Sequence, residues 1–96
     1  MKAFVYILSN KNNSTLYTGV TRDLQGRLYQ HKTKKHPHSF TARYNVDKLV
    51  HFECFNSMGD AIKREKQIKA GSRKKKIELI DRINPEWHDL SLTLEV

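Results

Sequence analysis

Two tyrosines stand eleven residues apart, Tyr6 in Phe4-Val5-Tyr6-Ile7 and Tyr17 in Tyr17-Thr18-Gly19, and Arg27 and His31 follow them. Each of these residue types suits work on a phosphodiester. A phenol can orient a water molecule and take its proton. A guanidinium fork donates two parallel hydrogen bonds to a phosphate. Arg27 and His31 are four residues apart, so a helix would place both on one face. Far along the chain, Glu65 falls midway between Ile62 and Ile68 on an apolar stripe, where a charge is costly unless paired or bound to metal. It can hold a divalent cation through its oxygens or pair with Lys69 at i+4. Each residue taken singly also has a plain structural reading. Tyr6 and Tyr17 are ordinary strand aromatics, and His31 is a histidine buried on an apolar stripe and hydrogen-bonded nearby. Gly19 marks a bulge or a close backbone approach.

The elements that must position these groups follow from pattern. Residues 3–8 are apolar throughout, as in a strand covered on both faces. Ser9 to Ser14 is polar and Asn-rich, a hairpin loop, and residues 15–20 form a second strand. Thr21 or Asp23 caps a helix from about 23 to about 34, with Leu24, Leu28 and His31 on one stripe. Residues 35–46 read as a polar connector broken by Pro37. Leu49 to Phe55 is a third strand. Ser57-Met58-Gly59-Asp60 resembles a capping box, and the helix after it carries Met58, Ala61, Ile62 and Ile68 to Gly71. Ser72 opens a basic helix with Ile77, Ile80 and Ile83 facing inward, and Asn84-Pro85 stops it. The tail, about 84–96, docks Trp87 on the core. The order β-β-α-β-α-α is that of an α+β fold.

The 96 residues suit one domain, 1–96. Lys and Arg number 18 against 10 Asp and Glu, a net charge of +8. Such an excess serves an anionic partner: nucleic acid first, an acidic membrane surface second, with a merely solvated basic surface as the plain alternative. Lys66, Lys69, Arg73, Lys74, Lys75 and Lys76 are the phosphate contacts this implies, binding with strong salt dependence and little sequence preference. His36 and His38 bracket Pro37 in a solvated loop, and Glu53 is read as surface-facing. Cys54 is the only cysteine, which excludes an internal disulfide and a zinc knuckle and suits a reducing compartment. The start is too short for a signal sequence, and no apolar run reaches membrane-spanning length.

As an ordered set these residues resemble the GIY-YIG endonuclease superfamily, in particular its small stand-alone bacterial members. Phe4-Val5-Tyr6 stands for the first motif and Tyr17-Thr18-Gly19 for the second. Arg27 and His31 follow at the family's spacing, and Glu65 in Arg64-Glu65-Lys66 falls where the family has a metal-binding glutamate. Tyr44-Asn45-Val46-Asp47-Lys48-Leu49-Val50 and Asn84-Pro85-Glu86-Trp87 add to the likeness, which covers nearly the whole chain. Phe4 replaces a glycine and Thr18 an isoleucine, both beside the tyrosines. The family's additional Asn or Lys near the site has no counterpart.

The resemblance implies a three-stranded antiparallel sheet flanked by helices and a catalytic set of Tyr6, Tyr17, Arg27, His31 and Glu65. Glu65 would hold one Mg²⁺ or Mn²⁺, Arg27 would stabilise the transition state, and Tyr6, favoured over Tyr17, would be the base. A free phenol titrates near pH ~10, so Arg27 and the metal are expected to pull that value down. The leading expectation is a metal-dependent endonuclease of DNA, acting on branched, nicked or damaged structures as in repair, in a bacterial cytoplasm near the nucleoid. No membrane or small-molecule cofactor is expected. The alternatives are a non-catalytic nucleic-acid-binding module on the same scaffold, and an adaptor for a repair protein.

Overall fold

The computed structural model describes residues 2–94. Residues 95–96, the end of the tail expected to dock, lie outside that range. Three strands make one antiparallel sheet: β1 (Ala3–Ser9), β2 (Leu16–Thr21) and β3 (Lys48–Phe55), in the order β2-β1-β3. The helices are α1 (Leu24–Lys32), α2 (Phe40–Arg43), α3 (Met58–Ala70) and α4 (Arg73–Ile83), with a closing 3₁₀ turn over Leu90–Leu94.

The apolar run of β1 makes it the middle strand, paired on both sides. Its side chains alternate between two layers. Ala3, Val5 and Ile7 join Val50, Ala61, Ile68 and Ile80 under α3 and α4. Tyr6 and Leu8 join Leu24, Leu28, Val46 and Leu49 under α1. A bulge lies between Ile7 and Leu8: Ile7 faces His51 while Leu8 faces Leu49, which leaves Val50 unopposed.

Each longer helix starts on a side-chain cap. Asp23 accepts from the Gly26 N–H, Ser57 from that of Asp60, and Ser72 from that of Lys75. Between Asp23 and Thr21, Asp23 is the cap; the Thr21 hydroxyl instead accepts from the Asp23 N–H. The connector expected over 35–46 holds the one-turn helix α2, capped by Ser39 and anchored by buried Thr41 and Ala42. Its four residues are too few for a periodic signal.

Two inward assignments are corrected. Ile83 is 71% exposed, because α4 leaves the core after Ile80 and ends at Asn84. Ile62 also lies on the exposed side of α3, whose buried stripe is Ala61 and Ile68. Cys54 is exposed as well. On the α3–α4 layer, Glu53 bonds to both buried His51 (2.8 Å) and Arg64 (2.8 and 3.1 Å). The His51 hydrogen bond and the Arg64 charge hold the Glu53 carboxyl at about 2 against its partial burial. This group ties β3 to α3.

Trp87 does pack against the core, and its indole N–H donates to Asp81 at 2.7 Å. It sits at φ 54°, a strained value for a bulky residue. Buried Asn84 holds that turn: its amide donates to the Val50 and His88 carbonyls (3.1 and 2.9 Å) and accepts from the His88 N–H (3.0 Å).

Candidate active site

Pairing of β1 with β2 sets Tyr6 opposite Gly19 and Leu8 opposite Tyr17, which puts both tyrosines on the α1 face of the sheet. Their ring centroids are 6.3 Å apart. The Tyr6 ring lies across Gly19 because there is no side chain to stop it. A Cβ there would sit 2.5 Å from the Tyr6 Cζ and hydroxyl oxygen. Gly19→Ala is therefore expected to displace the phenol and cost about 1–3 kcal/mol of stability, as overpacking does; urea denaturation of the two proteins measures it.

Tyr6 is fully buried. Its hydroxyl meets His31 Nε2 at 3.2 Å, and His31 Nδ1 meets the Thr41 hydroxyl at 2.9 Å. Ser39 Oγ stands 3.3 Å from that same hydroxyl. Both imidazole nitrogens are thus engaged, one by β1 and one by α2. Burial, helped by the nearby Tyr17, pushes the Tyr6 phenol up to about 12, and Arg27 pulls it down only in part. Arg27 does lower the phenol as expected, but the net shift is upward: with no solvent at the oxygen, the cost of a buried phenolate exceeds what one guanidinium returns. His31 moves below its usual range, since partial burial and the Arg27 charge both disfavour the imidazolium. It is therefore neutral at pH 7.

A cleft of about 330 Å³ opens above this layer, lined by Tyr17, Arg27, His31, Lys34, His36 and Phe40 among others. Arg27 and His31 do share a face of α1 and meet Tyr17 there. Tyr6 is not part of the lining. A second hollow of about 290 Å³ lies on the other side of Tyr17 and Phe40, edged by Lys69 and Lys76.

Glu65 lines neither hollow. Its side chain is about 15% exposed and pairs with Lys69 Nζ at 3.3 Å. Its charge nevertheless reaches the Tyr6 phenol and helps to raise it. Among the described residues no cluster of three His, Cys, Asp or Glu side chains could hold a metal. One carboxylate is enough for a Mg²⁺-like ion, which keeps most of its waters and takes substrate phosphate oxygens as further ligands. The Lys69 pair is no strong obstacle, since an ion pair with so exposed a partner is worth about 0–1 kcal/mol. The donor set fits that kind of ion.

The basic run divides. Lys69 and Lys76 face the second hollow, and Lys75 and Lys76 edge a groove of about 580 Å³ between α3 and α4. Arg73 donates to the Asn13 carbonyl of the hairpin loop. Lys66 and Lys74 are exposed away from both hollows.

The model of the GIY-YIG catalytic domain matches residues 2–78. The chain belongs to the GIY-YIG family. That family is one of nucleases acting on nucleic acid, generally with a divalent cation. A UPF0213 protein of Syntrophus aciditrophicus is 42% identical over 88% of this chain and 95% of its own length. Another, from Haloquadratum walsbyi, is 38% identical over 81% of the chain and 85% of its own. The solution NMR structure of a UPF0213 protein from Bacillus halodurans superposes over 100% of both chains, with a TM-score of 0.59 and 28% identity.

In the GIY-YIG frame the departures at Phe4 and Thr18 are packing changes. Phe4 packs against the α1 layer, and Thr18 is buried on the opposite face from Tyr17. Sequence reasoning missed Thr41, Ser39 and Phe40. The available signal was Ser39 three residues before Ala42, the spacing of a helix cap.

Proposed function

We propose that this GIY-YIG protein is a divalent-metal-dependent endonuclease that hydrolyses DNA phosphodiester bonds, with branched or nicked DNA as the substrates to try first. The observation that carries the reading is the convergence of Tyr17, Arg27 and His31 on one open cleft rimmed by Lys34. In it, a phosphate on Arg27 would be held by a planar fork and its developing charge stabilised. Tyr17 is the phenol that water can reach, so we assign it the orientation and deprotonation of the attacking water. Tyr6 lies beneath and holds His31 through the 3.2 Å contact, with Thr41 fixing the other nitrogen. Glu65 would hold the cation, which supplies Lewis-acid stabilisation of charge on the departing oxygen. Burial of Tyr6, which the sequence favours as the base, supports giving that role to Tyr17 instead.

The test is cleavage of plasmid, flap and junction DNA by the purified protein with Mg²⁺ or Mn²⁺, and with the metal chelated. Metal-dependent nicking or cutting is expected. Binding that survives chelation with no cutting of any substrate would instead select the non-catalytic module.

A further inference from the structure

Beyond the catalytic groups, a series of aromatic rings runs outward from the buried phenol. Tyr17 stacks on Phe40 at 6.5 Å between centroids and 27° between planes, and Phe40 meets Tyr44 at 4.8 Å. The Arg43 guanidinium lies 5.8 Å from the centre of the Tyr44 ring. The outer two rings are not core: Phe40 is 47% exposed and Tyr44 49%. Single exposed apolar residues need no explanation. These two are different because α2 presents them deliberately. Ser39 caps the turn, while Thr41 and Ala42 point inward and are buried. Phe40, Arg43 and Tyr44 are thereby held outward on a turn that has its own anchors.

Position adds a second argument. Phe40 and Tyr17 line both hollows and together make the ridge they share. One hollow carries Arg27, Lys34 and His36, and the other Lys69 and Lys76. A polymer that fits this surface has a flat apolar group to lie on the ridge and an anion on either side of it. A nucleotide strand has that alternation. Its base faces are free only where the strand is unpaired or unstacked, because a duplex covers both faces of every internal base.

We propose that Phe40 and Tyr44 form a base-stacking platform that engages an unpaired nucleotide next to the scissile phosphate, so that single-stranded segments are the preferred substrate class. This rests on the nuclease reading for the adjacent phosphate chemistry, but not for the binding itself.

The full-length protein is titrated, with metal chelated so that nothing is cut, against a single-stranded oligonucleotide carrying 2-aminopurine and against a duplex of the same sequence. Stacking on an aromatic ring quenches 2-aminopurine fluorescence. Quenching and tighter binding of the single strand are expected. Phe40→Leu and Tyr44→Leu keep apolar bulk but lose the aromatic face. Each should weaken single-strand binding about tenfold, the size of one lost base stack, and weaken duplex binding by less than that. Phe40→Trp should restore both binding and quenching. Single-strand binding by the Leu variants at the wild-type level, or equal binding of single strand and duplex without quenching, overturns the proposal and leaves the aromatic face to a protein partner. A protein that quenches but never cuts overturns only the nuclease reading, and one that cuts without quenching overturns only the platform.

Discussion

Tyr17→Phe is expected to lower kcat by about 10²–10⁴-fold, the usual contribution of a positioned acid–base group, while Tyr6→Phe lowers it by about tenfold or less. The asymmetry comes from burial. Tyr17 lines the cleft, whereas Tyr6 is fully enclosed and its phenol is held at about 12. A group that meets no water and stays protonated through any ordinary assay pH cannot take the first proton. Tyr6→Phe removes only the hydroxyl that steadies His31 Nε2. The pH profile adds a check on His31: burial and the Arg27 charge disfavour its imidazolium, so any acid-side loss of activity from its protonation is expected at a lower pH than for a free imidazole. The opposite ranking of the two variants, measured as kcat on one cleavable substrate, would return the base role to Tyr6.

Glu65→Gln is the second large effect. The substitution keeps the shape of the side chain and removes the only charge we assign to the cation. Lewis-acid assistance is worth several kcal/mol, so activity should fall by about 10²–10⁴-fold. A readout independent of cleavage accompanies it. Mn²⁺ should broaden the amide NMR signals around Glu65 in the wild type and not in the variant. Lys69 competes with the cation for the same carboxylate, so Lys69→Met should increase that broadening at a given Mn²⁺ concentration. Wild-type activity in Glu65→Gln would end the assignment.

The three strands and the long helices were legible because their periods and caps are strong: an apolar β1, Asp23, Ser57 and Ser72 before apolar stripes, and Asn84-Pro85 after the last. The chemical residues were legible only as an ordered set, since Tyr6, His31 and Glu65 each have an ordinary packing role on spacing alone. What the sequence hid has two physical causes. The one-turn α2 is shorter than any period, so Thr41 and Phe40 were invisible as site components. Access is a three-dimensional property: the apolar run over 3–8 implies a covered strand, but that Tyr6 would lie under His31 while Tyr17 faces the cleft depends on how α1 crosses the sheet. Ile83 misled for a related reason: its spacing from Ile80 is right, but the helix has already left the sheet.

The middle position of β1 has a consequence for how such a site can be controlled. Tyr6 belongs to the strand hydrogen-bonded on both sides, the part of a domain whose opening free energy approaches that of global unfolding. The strand that carries Tyr6 to its contact with His31 therefore does not loosen by local fraying, and the floor of the site is as durable as the fold. The outer half stands on one helical turn with two buried side chains. That turn, which carries Ser39, Thr41 and Phe40, is the part of the site that can open without disturbing the central strand.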